Sequence, residues 1–304
     1  QGYGPIALPS SPTAAVIPPP DLMPPTIRDI SVQGSSVILN FSEKISSSGL
    51  SLSTFTVKVA GVARSVTASS YDTTNQNQVS LTISGTAPTS AQSLQVSYGG
   101  TSPSIVKDLA GNPLASFSNR SADTFLSGAS VTSLYADYTN LTLTGASAIN
   151  GTGNARANTI LGNQANNVLN GAAGADVLTG SGGADTFVYT TLANSLLGSP
   201  NGYTFDRITD FTIGQDKLDG PKTVSTTQFK RLGTVDTLDQ AGIQQVLTTS
   251  TFVANGAASF TFVDGSGNRT FVALNDSTAG FDGTKDAVIE ITRFSGLLSG
   301  LSIV

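Results

Sequence analysis

The chain lacks several residue types on which enzyme chemistry commonly depends. Its 304 residues include no cysteine, no histidine, no tryptophan and a single methionine. Without cysteine or histidine, the chain has no disulfide, no thiolate or histidine metal site, and no Ser-His or Cys-His nucleophile. The composition excludes the most familiar catalytic machinery, so we expect a protein that is not an enzyme.

Charged residues are also scarce, at 12% of the chain, and no apolar run approaches the roughly 18 residues of a membrane span. We therefore expect no membrane insertion. Sparse, unclustered basic residues argue against nucleic-acid binding. Residues 129–304 carry nine basic and 14 acidic side chains, whereas residues 1–128 carry six of each, so the net charge of −5 lies in the C-terminal part. Localised carboxylates favour a hard cation, and Ca²⁺ is the natural candidate.

Proline is concentrated at the N-terminus, where eight of the 13 prolines fall within residues 1–25. This segment is predicted to be an extended arm rather than a helix. One interpretation is a flexible linker. The other is a self-assembly arm that adds a strand to an exposed sheet edge of a neighbouring copy. The apolar residues that would make this contact are Pro5, Ile6, Leu8, Val16 and Ile17.

Residues 26–127 alternate apolar and polar residues in short segments separated by glycines, a pattern that favours a β-sandwich. The segments are Val37-Leu39-Phe41, Phe55-Val57-Val59, Val79-Leu81-Ile83 and Leu94-Val96-Tyr98. The region resembles the Ig-like SwmB-type domains of cyanobacterial surface proteins, in the segments Leu39-Asn40-Phe41-Ser42-Glu43 and Asp108-Leu109-Ala110-Gly111-Asn112. This resemblance implies a spacer or adhesive module, in which we interpret Asp108 and Asn112 as turn formers.

A nine-residue repeat follows a bridging strand segment, residues 128–144, in which Leu141 and Leu143 alternate as in a strand. Four consecutive units begin with glycine, and the eighth position of each unit is large and apolar: Ile160, Leu169, Leu178 and Phe187. This period predicts a parallel β-roll in which each unit turns for six residues and extends for three, so that two units complete one coil. The predicted roll spans residues 145–190.

These repeats resemble the RTX nonapeptides of proteins exported by type I secretion. In that family the Asp at position six stacks on the Asp two units later, with a calcium ion between them. The resemblance implies calcium ligands at Asp176 and Asp185, each 18 residues after Asn158 and Asn167, with three glycines in the same turns: Gly171, Gly174 and Gly180. Because each pair contains an amide, we expect weak sites or one occupied site.

Two alternatives concern the asparagines of the repeat. Asn158 and Asn167 are either calcium ligands or residues present only because asparagine tolerates left-handed backbone in a tight turn. If they bind no metal, the first coil of the roll is a calcium-free cap.

Residues 191–304 resemble the segment that closes RTX rolls in serralysin-type domains, followed by a bluetail domain. The matching segments are Asp206-Arg207-Ile208-Thr209-Asp210-Phe211, Phe271-Val272-Ala273-Leu274-Asn275-Asp276 and Asp286-Ala287-Val288-Ile289-Glu290. The resemblance implies that Ile208 and Phe211 pack on the open end of the roll, and that the region carries a type I export signal. Asp206 and Asp210 either face one further ion or lie in a solvated loop. Between these segments, Leu238, Ile243, Val246 and Leu247 predict one short amphipathic helix.

The sequence as a whole predicts an all-β protein, with an Ig-like β-sandwich, a parallel β-roll and a mostly β C-terminal cap that carries one short helix. We expect a secreted, calcium-binding structural protein, located outside the cell or at its surface, that forms a homopolymer such as a filament or surface layer. The alternatives are a monomeric adhesin and the secretion tail of a larger RTX hydrolase, which the start at Gln1 keeps open. A glycoside hydrolase needs two carboxylates, but the only glutamates, Glu43 and Glu290, lie on separate predicted strands.

Overall fold

The fold is described from a computed structural model, which covers residues 21–48, 50–100, 105–199, 202–265 and 267–304. The apolar residues proposed for self-assembly, from Pro5 to Ile17, lie outside these residues. Across the described ranges, no helix is both long and apolar enough to cross a membrane.

Two sheets form the N-terminal sandwich. Their strands are β1 (Ile27–Gln33), β2 (Ser36–Phe41), β3 (Phe55–Val59), β4 (Val62–Arg64), β5 (Val66–Tyr71), β6 (Gln78–Ile83), β7 (Leu94–Tyr98), β8 (Phe117–Ser121) and β9 (Thr124–Ser127). One sheet has the order β9-β1-β2-β6-β5 and the other β4-β3-β7-β8. A short 3-10 helix, Leu52–Thr54, precedes β3.

The alternating residues that predicted these strands form the sandwich core. Val37, Leu39 and Phe41 of β2 are fully buried, as are Val57 of β3 and Val96 of β7. Successive side chains of a strand point to opposite faces, so every second residue reaches the space between the two sheets.

The roll begins before the first repeat unit. Its strands are β10 (Asn140–Leu143), β11 (Gly151–Thr152), β12 (Thr159–Leu161), β13 (Val168–Asn170), β14 (Val177–Thr179) and β15 (Thr186–Val188). Strand β12 pairs in parallel with β14, and β13 pairs in parallel with β15, so residues 18 apart lie side by side. The predicted coil of two nine-residue units is confirmed.

The C-terminal cap is mostly β-structure. Its strands are β16 (Gly198–Ser199), β17 (Gly202–Tyr203), β18 (Asp206–Ile208), β19 (Lys217–Asp219), β20 (Phe229–Val235), β21 (Ala257–Asp264), β22 (Gly267–Leu274), β23 (Ala287–Glu290) and β24 (Ser302–Ile303). Two 3-10 helices cover Leu192–Ser195 and Leu298–Gly300. The expected short helix is α1 (Gln240–Gln244), which begins after Asp239, whose side chain accepts a hydrogen bond from Gly242 N at 2.8 Å.

The first strands of the cap continue the two sheets of the roll. Strand β18 pairs in parallel with β14 and places Ile208 beside Leu178, while β19 pairs in parallel with β15 and places Leu218 beside Phe187. Ile208 therefore packs on Leu178 at the end of the repeat units and forms a further rung of the roll interior. Phe211 is fully buried, and its ring centroid lies 5.8 Å from that of Phe187.

One sheet runs through all three regions. Strand β9 of the sandwich pairs in parallel with both β1 and β10, and β10 pairs in parallel with β12 of the roll. The complete sheet has 13 strands, in the order β20-β21-β22-β23-β18-β14-β12-β10-β9-β1-β2-β6-β5. One hydrophobic core extends from Ile27 to Ile303, and a second cluster, which includes Phe205, Phe260 and Phe271, lies within the cap. The bridging segment therefore supplies a strand to a continuous sheet and does not act as a loose linker.

Candidate metal centre

Two ladders of polar side chains run along the edges of the roll, where each turn ends and a strand begins. The first ladder contains Asn158, Asp176 and Asp206, and the second contains Asn167, Asp185 and Asp216. All six residues are buried. Each one occupies the position two residues before a large apolar residue that points into the roll, so the stacking of the strands brings the polar residues together.

Backbone hydrogen bonds define the first ladder. Asn158 N donates to Asp176 Oδ1 at 2.7 Å, and Asp176 N donates to Asp206 Oδ1 at 2.9 Å. One oxygen of each carboxylate is therefore held by the preceding coil. The other oxygen, Oδ2 of both Asp176 and Asp206, is buried without a hydrogen-bond partner of good geometry. The buried Tyr189 hydroxyl lies beside Asp206, and its interaction with that carboxylate opposes the rise that burial causes in the pKa of Asp206.

The second ladder repeats these backbone bonds on the opposite edge, but Asp216 Oδ2 accepts a hydrogen bond from Thr212 N at 2.7 Å. Asn167 N donates to Asp185 Oδ1 at 2.8 Å, and Asp185 N donates to Asp216 Oδ1 at 2.9 Å. The 18-residue spacing in the sequence thus places each Asn-Asp pair on adjacent coils.

The first glycine of a repeat unit makes room for the carboxylate. A Cβ atom on Gly171 would collide with Asp176 Oδ2, and one on Gly180 would collide with Asp185 Oδ2. Gly174, at position four, has φ +130° and lies against the backbone carbonyl of Arg156 on the preceding coil. A side chain at Gly171 or Gly180 would fill the space around the carboxylate, whereas one at Gly174 would be strained by its positive φ and would collide with the backbone of the preceding coil.

Burial makes the ionised carboxylates costly. It raises the pKa of Asp176 to about 7 and that of Asp206 to about 8, to which the charge of Asp176 also contributes. Burial likewise raises the pKa of Asp185 to about 6 and raises that of Asp216. A buried negative charge without a partner is unfavourable, so these sites favour either a proton or a cation.

The donor set fits a hard divalent cation. Carboxylate oxygens, backbone carbonyl oxygens and a glycine-lined space are what Ca²⁺ requires, and the unpartnered oxygens of Asp176 and Asp206 are available as ligands. A bound calcium ion would neutralise the ladder and join adjacent coils.

Comparison with known families agrees with this chemistry. Residues 152–187 match the RTX calcium-binding nonapeptide repeat in four copies. Calcium is the ion that these repeats bind. The match covers the repeat units from Thr152 to Phe187, and the sandwich and the whole cap lie outside it.

Comparison with solved structures gives only weak likenesses. The S-layer protein SbsC is 15% identical over 32% of this chain and 13% of its own, with a TM-score of 0.28. The chain thus spans about an eighth of that protein. The AlgE6R2 subunit of the Azotobacter vinelandii mannuronan C5-epimerase is 28% identical over 51% of this chain and 80% of its own, with a TM-score of 0.31. No curated protein matches the chain.

The asparagines of the first coil do not have left-handed backbone, so that explanation of them is wrong. Their side chains instead bond to the segment before the repeats. Asn167 Nδ2 donates to the carbonyl oxygen of Ile149 at 2.6 Å, and Asn158 Nδ2 donates to that of Tyr138 at 3.4 Å. An amide supplies N–H donors to these carbonyl oxygens, which a carboxylate cannot do.

Asp206 and Asp210 do not share a partner in the structure. Asp206 belongs to the first ladder, whereas Asp210 accepts hydrogen bonds from Gly180 N at 3.0 Å and Ser181 N at 2.7 Å. Asp210 therefore caps the turn of the fourth unit near Asp185, whose pKa its charge also raises. The structure does not support the expectation that Asp206 and Asp210 face one ion together.

Asp216 is the ladder residue that the repeat analysis missed. It lies 31 residues after Asp185, and Asp206 lies 30 after Asp176, so both fall outside the nine-residue period. The signal that identifies them is the Asp-x-apolar triplet, present in Asp206-Arg207-Ile208 and Asp216-Lys217-Leu218 as in the repeats themselves.

Three further carboxylates meet at one end of the sandwich. Oxygen atoms of Asp21, Glu43 and Asp108 all lie within 4.8 Å of one another. Asp108 accepts hydrogen bonds from Asn112 N at 2.8 Å and Asn112 Nδ2 at 2.7 Å. These bonds close the turn at Asp108 and satisfy its buried carboxylate, so we assign no ion to this cluster.

Proposed function

We propose that this protein is a non-enzymatic, secreted structural protein of the cell surface whose β-roll is completed by calcium. One observation carries the proposal. The carboxylates of both ladders are buried, and the first ladder, with two unpartnered oxygens, lies in the middle of the sheet that runs from the sandwich to the C-terminal cap, while the second lies along the five-stranded sheet of the roll. Calcium bound there would make the whole sheet rigid.

The ligands proposed for calcium are the aspartates of the two ladders. Asp176 and Asp206 serve the first ladder, and Asp185 and Asp216 the second. Gly171 and Gly180 keep the space beside the carboxylates open, and Gly174 allows the close approach of the preceding coil. Asn158 and Asn167 complete the first coil through amide hydrogen bonds, so we propose that this coil needs no calcium.

Calcium would also set the place of folding. The glycine-rich roll buries few large side chains, so without metal its burial only just offsets the loss of conformational entropy and the roll is marginally stable. Because cytosolic calcium is scarce and extracellular calcium is plentiful, the chain would leave the cell unfolded through a type I machine and fold outside. The RTX match of residues 152–187 supports this route and an extracellular location.

The test is thermal unfolding of the full chain with calcium, with magnesium and with a chelator. Calcium should raise the melting temperature strongly, and magnesium should not, because it demands smaller octahedral geometry and keeps its water. Equal melting curves in calcium and in chelator would contradict the proposal.

We further propose that copies of the protein assemble through the N-terminal arm, residues 1–25. Residues 21–26 lack regular structure, and Leu22 and Met23 are 76% and 72% exposed. The sandwich has edge strands, β5 and β4, that can accept an added strand. A head-to-tail contact of this kind does not close and generates filaments.

Deletion of residues 1–25 tests the assembly. Electron microscopy of the full chain in calcium should show regular filaments or sheets, and the shortened chain should remain as single particles with an unchanged melting temperature. Filaments formed by the shortened chain would contradict the role of the arm. Single particles of the full chain at high concentration would favour a monomeric adhesin. A native N-terminus upstream of Gln1, with a catalytic domain, would favour the secretion tail of a hydrolase.

A further inference from the structure

A groove of about 760 Å³ lies on the outer face of the continuous sheet, in the cap. We call it the arginine groove, and its lining is entirely polar or charged: Arg207, Thr209, Asp264, Asn268, Arg269, Glu290, Thr292 and Arg293. It is separate from the two ladders. On β18, Asp206 and Ile208 are buried in the roll whereas Arg207 between them is exposed, so the alternation of the strand turns Arg207 outward.

One arginine of the groove is already neutralised. Arg269 Nε donates to Glu290 Oε1 at 3.2 Å and Arg269 Nη2 donates to Glu290 Oε2 at 2.7 Å, and Arg269 Nη1 lies 3.6 Å from Asp264 Oδ2. The guanidinium also lies over the rings of Phe205 and Phe271, 5.7 and 5.2 Å from their centroids. These contacts hold the side chains of Arg269 and Glu290 in place within the groove.

The same contacts occupy Glu290, the acid that lies opposite Arg207 in the sheet, so Glu290 is not available to pair with Arg207. Arg207 is directly in register with Glu290 on the neighbouring strand β23. Both oxygens of Glu290 are engaged by Arg269, and Oε1 also accepts a hydrogen bond from Thr292 Oγ1 at 2.8 Å. Across the described part of the chain, neither Arg207 nor Arg293 forms an ion pair.

Two unpaired guanidinium groups in one groove select for negative charge. Their planar donors match the oxygens of a carboxylate or a sulfate. Thr209, Thr292 and Asn268 add hydroxyl and amide groups, and no apolar side chain lines the groove. An apolar peptide or a lipid chain has no apolar surface to pack against in this groove. A sugar has hydroxyl groups that can form hydrogen bonds with the polar side chains of the lining.

We propose that the arginine groove binds the carboxylate or sulfate groups of an acidic polysaccharide. A polymer with an oxyanion on successive sugars presents several acidic groups to the same groove, so that once one is bound the next benefits from a high effective concentration. The groove is formed by the cap strands and uses no residue of the ladders, so this activity is distinct from calcium binding.

The test measures binding of the full chain, in calcium buffer, to three dextrans with the same backbone: dextran sulfate, carboxymethyl dextran and unmodified dextran. Isothermal titration calorimetry should show binding to the two charged polymers and none to the neutral one. The double variant Arg207→Gln with Arg293→Gln should lose at least about tenfold in affinity, since hydrogen bonds to charged groups are lost.

Arg231→Gln is the matched control, because Arg231 is an exposed arginine of the cap on β20 and does not line the groove. It removes the same charge and should bind as the parent chain does. Arg207→Lys keeps the charge but not the planar fork, so it should weaken binding and provides a second test if the double variant does not fold. Equal losses in the control and groove variants, no loss in the groove variants, or no binding of either charged dextran by the parent chain would overturn the proposal. The calcium-dependent melting of each variant is measured separately, so a failure here leaves the calcium proposal standing.

Discussion

Asn158 donates its backbone N–H to Asp176 Oδ1 at 2.7 Å, although the two residues are 18 positions apart in the chain. The same carboxylate leaves its other oxygen, Oδ2, buried without a partner. This relationship connects the nine-residue repeat to calcium, because it shows which oxygen the fold uses and which oxygen is left for the ion.

Replacement of Asp176 by Asn should reduce the response to calcium. The amide keeps an oxygen that can accept the Asn158 N–H but removes the buried charge. Without calcium, the variant should therefore be more stable than the parent. With free calcium about 100-fold above Kd, the loss of one site removes about 2.7 kcal/mol of stabilisation. Urea unfolding with and without calcium measures both effects.

Asp236→Asn is the control for this variant, because Asp236 is exposed and lies outside the ladders. It should leave both unfolding curves within about 0.5 kcal/mol of the parent. An Asp176→Asn variant with an undiminished calcium response would show that Asp176 is not a ligand.

The stability of the calcium-free protein should fall as the pH rises from about 4 to about 8. The pKa of Asp in an unfolded chain is about 3.9, whereas in the folded protein it is raised to about 6 for Asp185, about 7 for Asp176 and about 8 for Asp206. Between these values the folded state binds more protons than the unfolded state, so deprotonation favours unfolding.

With calcium bound, the stability of the protein should instead rise with pH. Protons compete with the ion for the same carboxylate oxygens, and above the raised pKa values the protons are lost and calcium binds more tightly. Urea unfolding at about pH 5 and about pH 8, with calcium present or removed, provides the comparison. A calcium-free protein that is more stable at the higher pH would contradict the assignment of raised pKa values to the ladders.

Replacement of Asn167 by Asp should create a calcium requirement in the first coil. The new carboxylate would face the carbonyl oxygen of Ile149, to which Asn167 Nδ2 now donates at 2.6 Å. Without calcium we expect a loss of about 1–3 kcal/mol, the cost of an unsatisfied buried group. Calcium should restore most of it, as measured by unfolding in calcium and in chelator.

Asn119→Asp, at an exposed position of the sandwich, is the control and should change little in either buffer. If Asn167→Asp is as stable as the parent in chelator, the hydrogen bond from the Asn167 amide to the Ile149 carbonyl oxygen does not stabilise the first coil.

Replacement of Gly171 by Ala should destabilise the protein by about 1–3 kcal/mol, because the added Cβ would collide with Asp176 Oδ2. It should also weaken calcium binding, since the carboxylate must move. Gly233→Ala provides the control, because a Cβ there meets no atom within 4 Å. Equal melting temperatures for the two variants would argue against the glycine requirement.

The repeat region was the part of the fold that the sequence predicted best. A strict period of nine fixes which residues stack, so Ile160 against Leu178 and Leu169 against Phe187 follow directly from spacing. The strands of the sandwich could also be predicted from the alternating segments, because every second residue of a half-buried strand is apolar. The nine-residue period stops being informative after Phe187, where insertions separate the next rungs, and Asp216 was missed for that reason.

Long-range pairing was beyond the sequence pattern. Nothing in residues 128–144 indicates that β10 joins β9 of the sandwich to β12 of the roll, because register between distant strands depends on packing and not on local periodicity. The role of Asn167 likewise depends on a carbonyl group 18 residues earlier. Arg207, Arg269 and Arg293 of the arginine groove come from separate parts of the cap, so no local sequence motif predicts the groove.

Hydrogen–deuterium exchange of the full chain, in calcium and in chelator, tests the central claim most directly. In calcium, the backbone amides of Asn158, Asn167, Asp176 and Asp185 should exchange slowly, because each donates to a ladder carboxylate that the ion holds in place. In chelator, residues 171–188 of the second coil should exchange far faster, while the sandwich core around Leu39 remains protected. Equal protection of residues 171–188 in both buffers would contradict the account, because the coil that carries Asp176 and Asp185 would then be rigid without the ion.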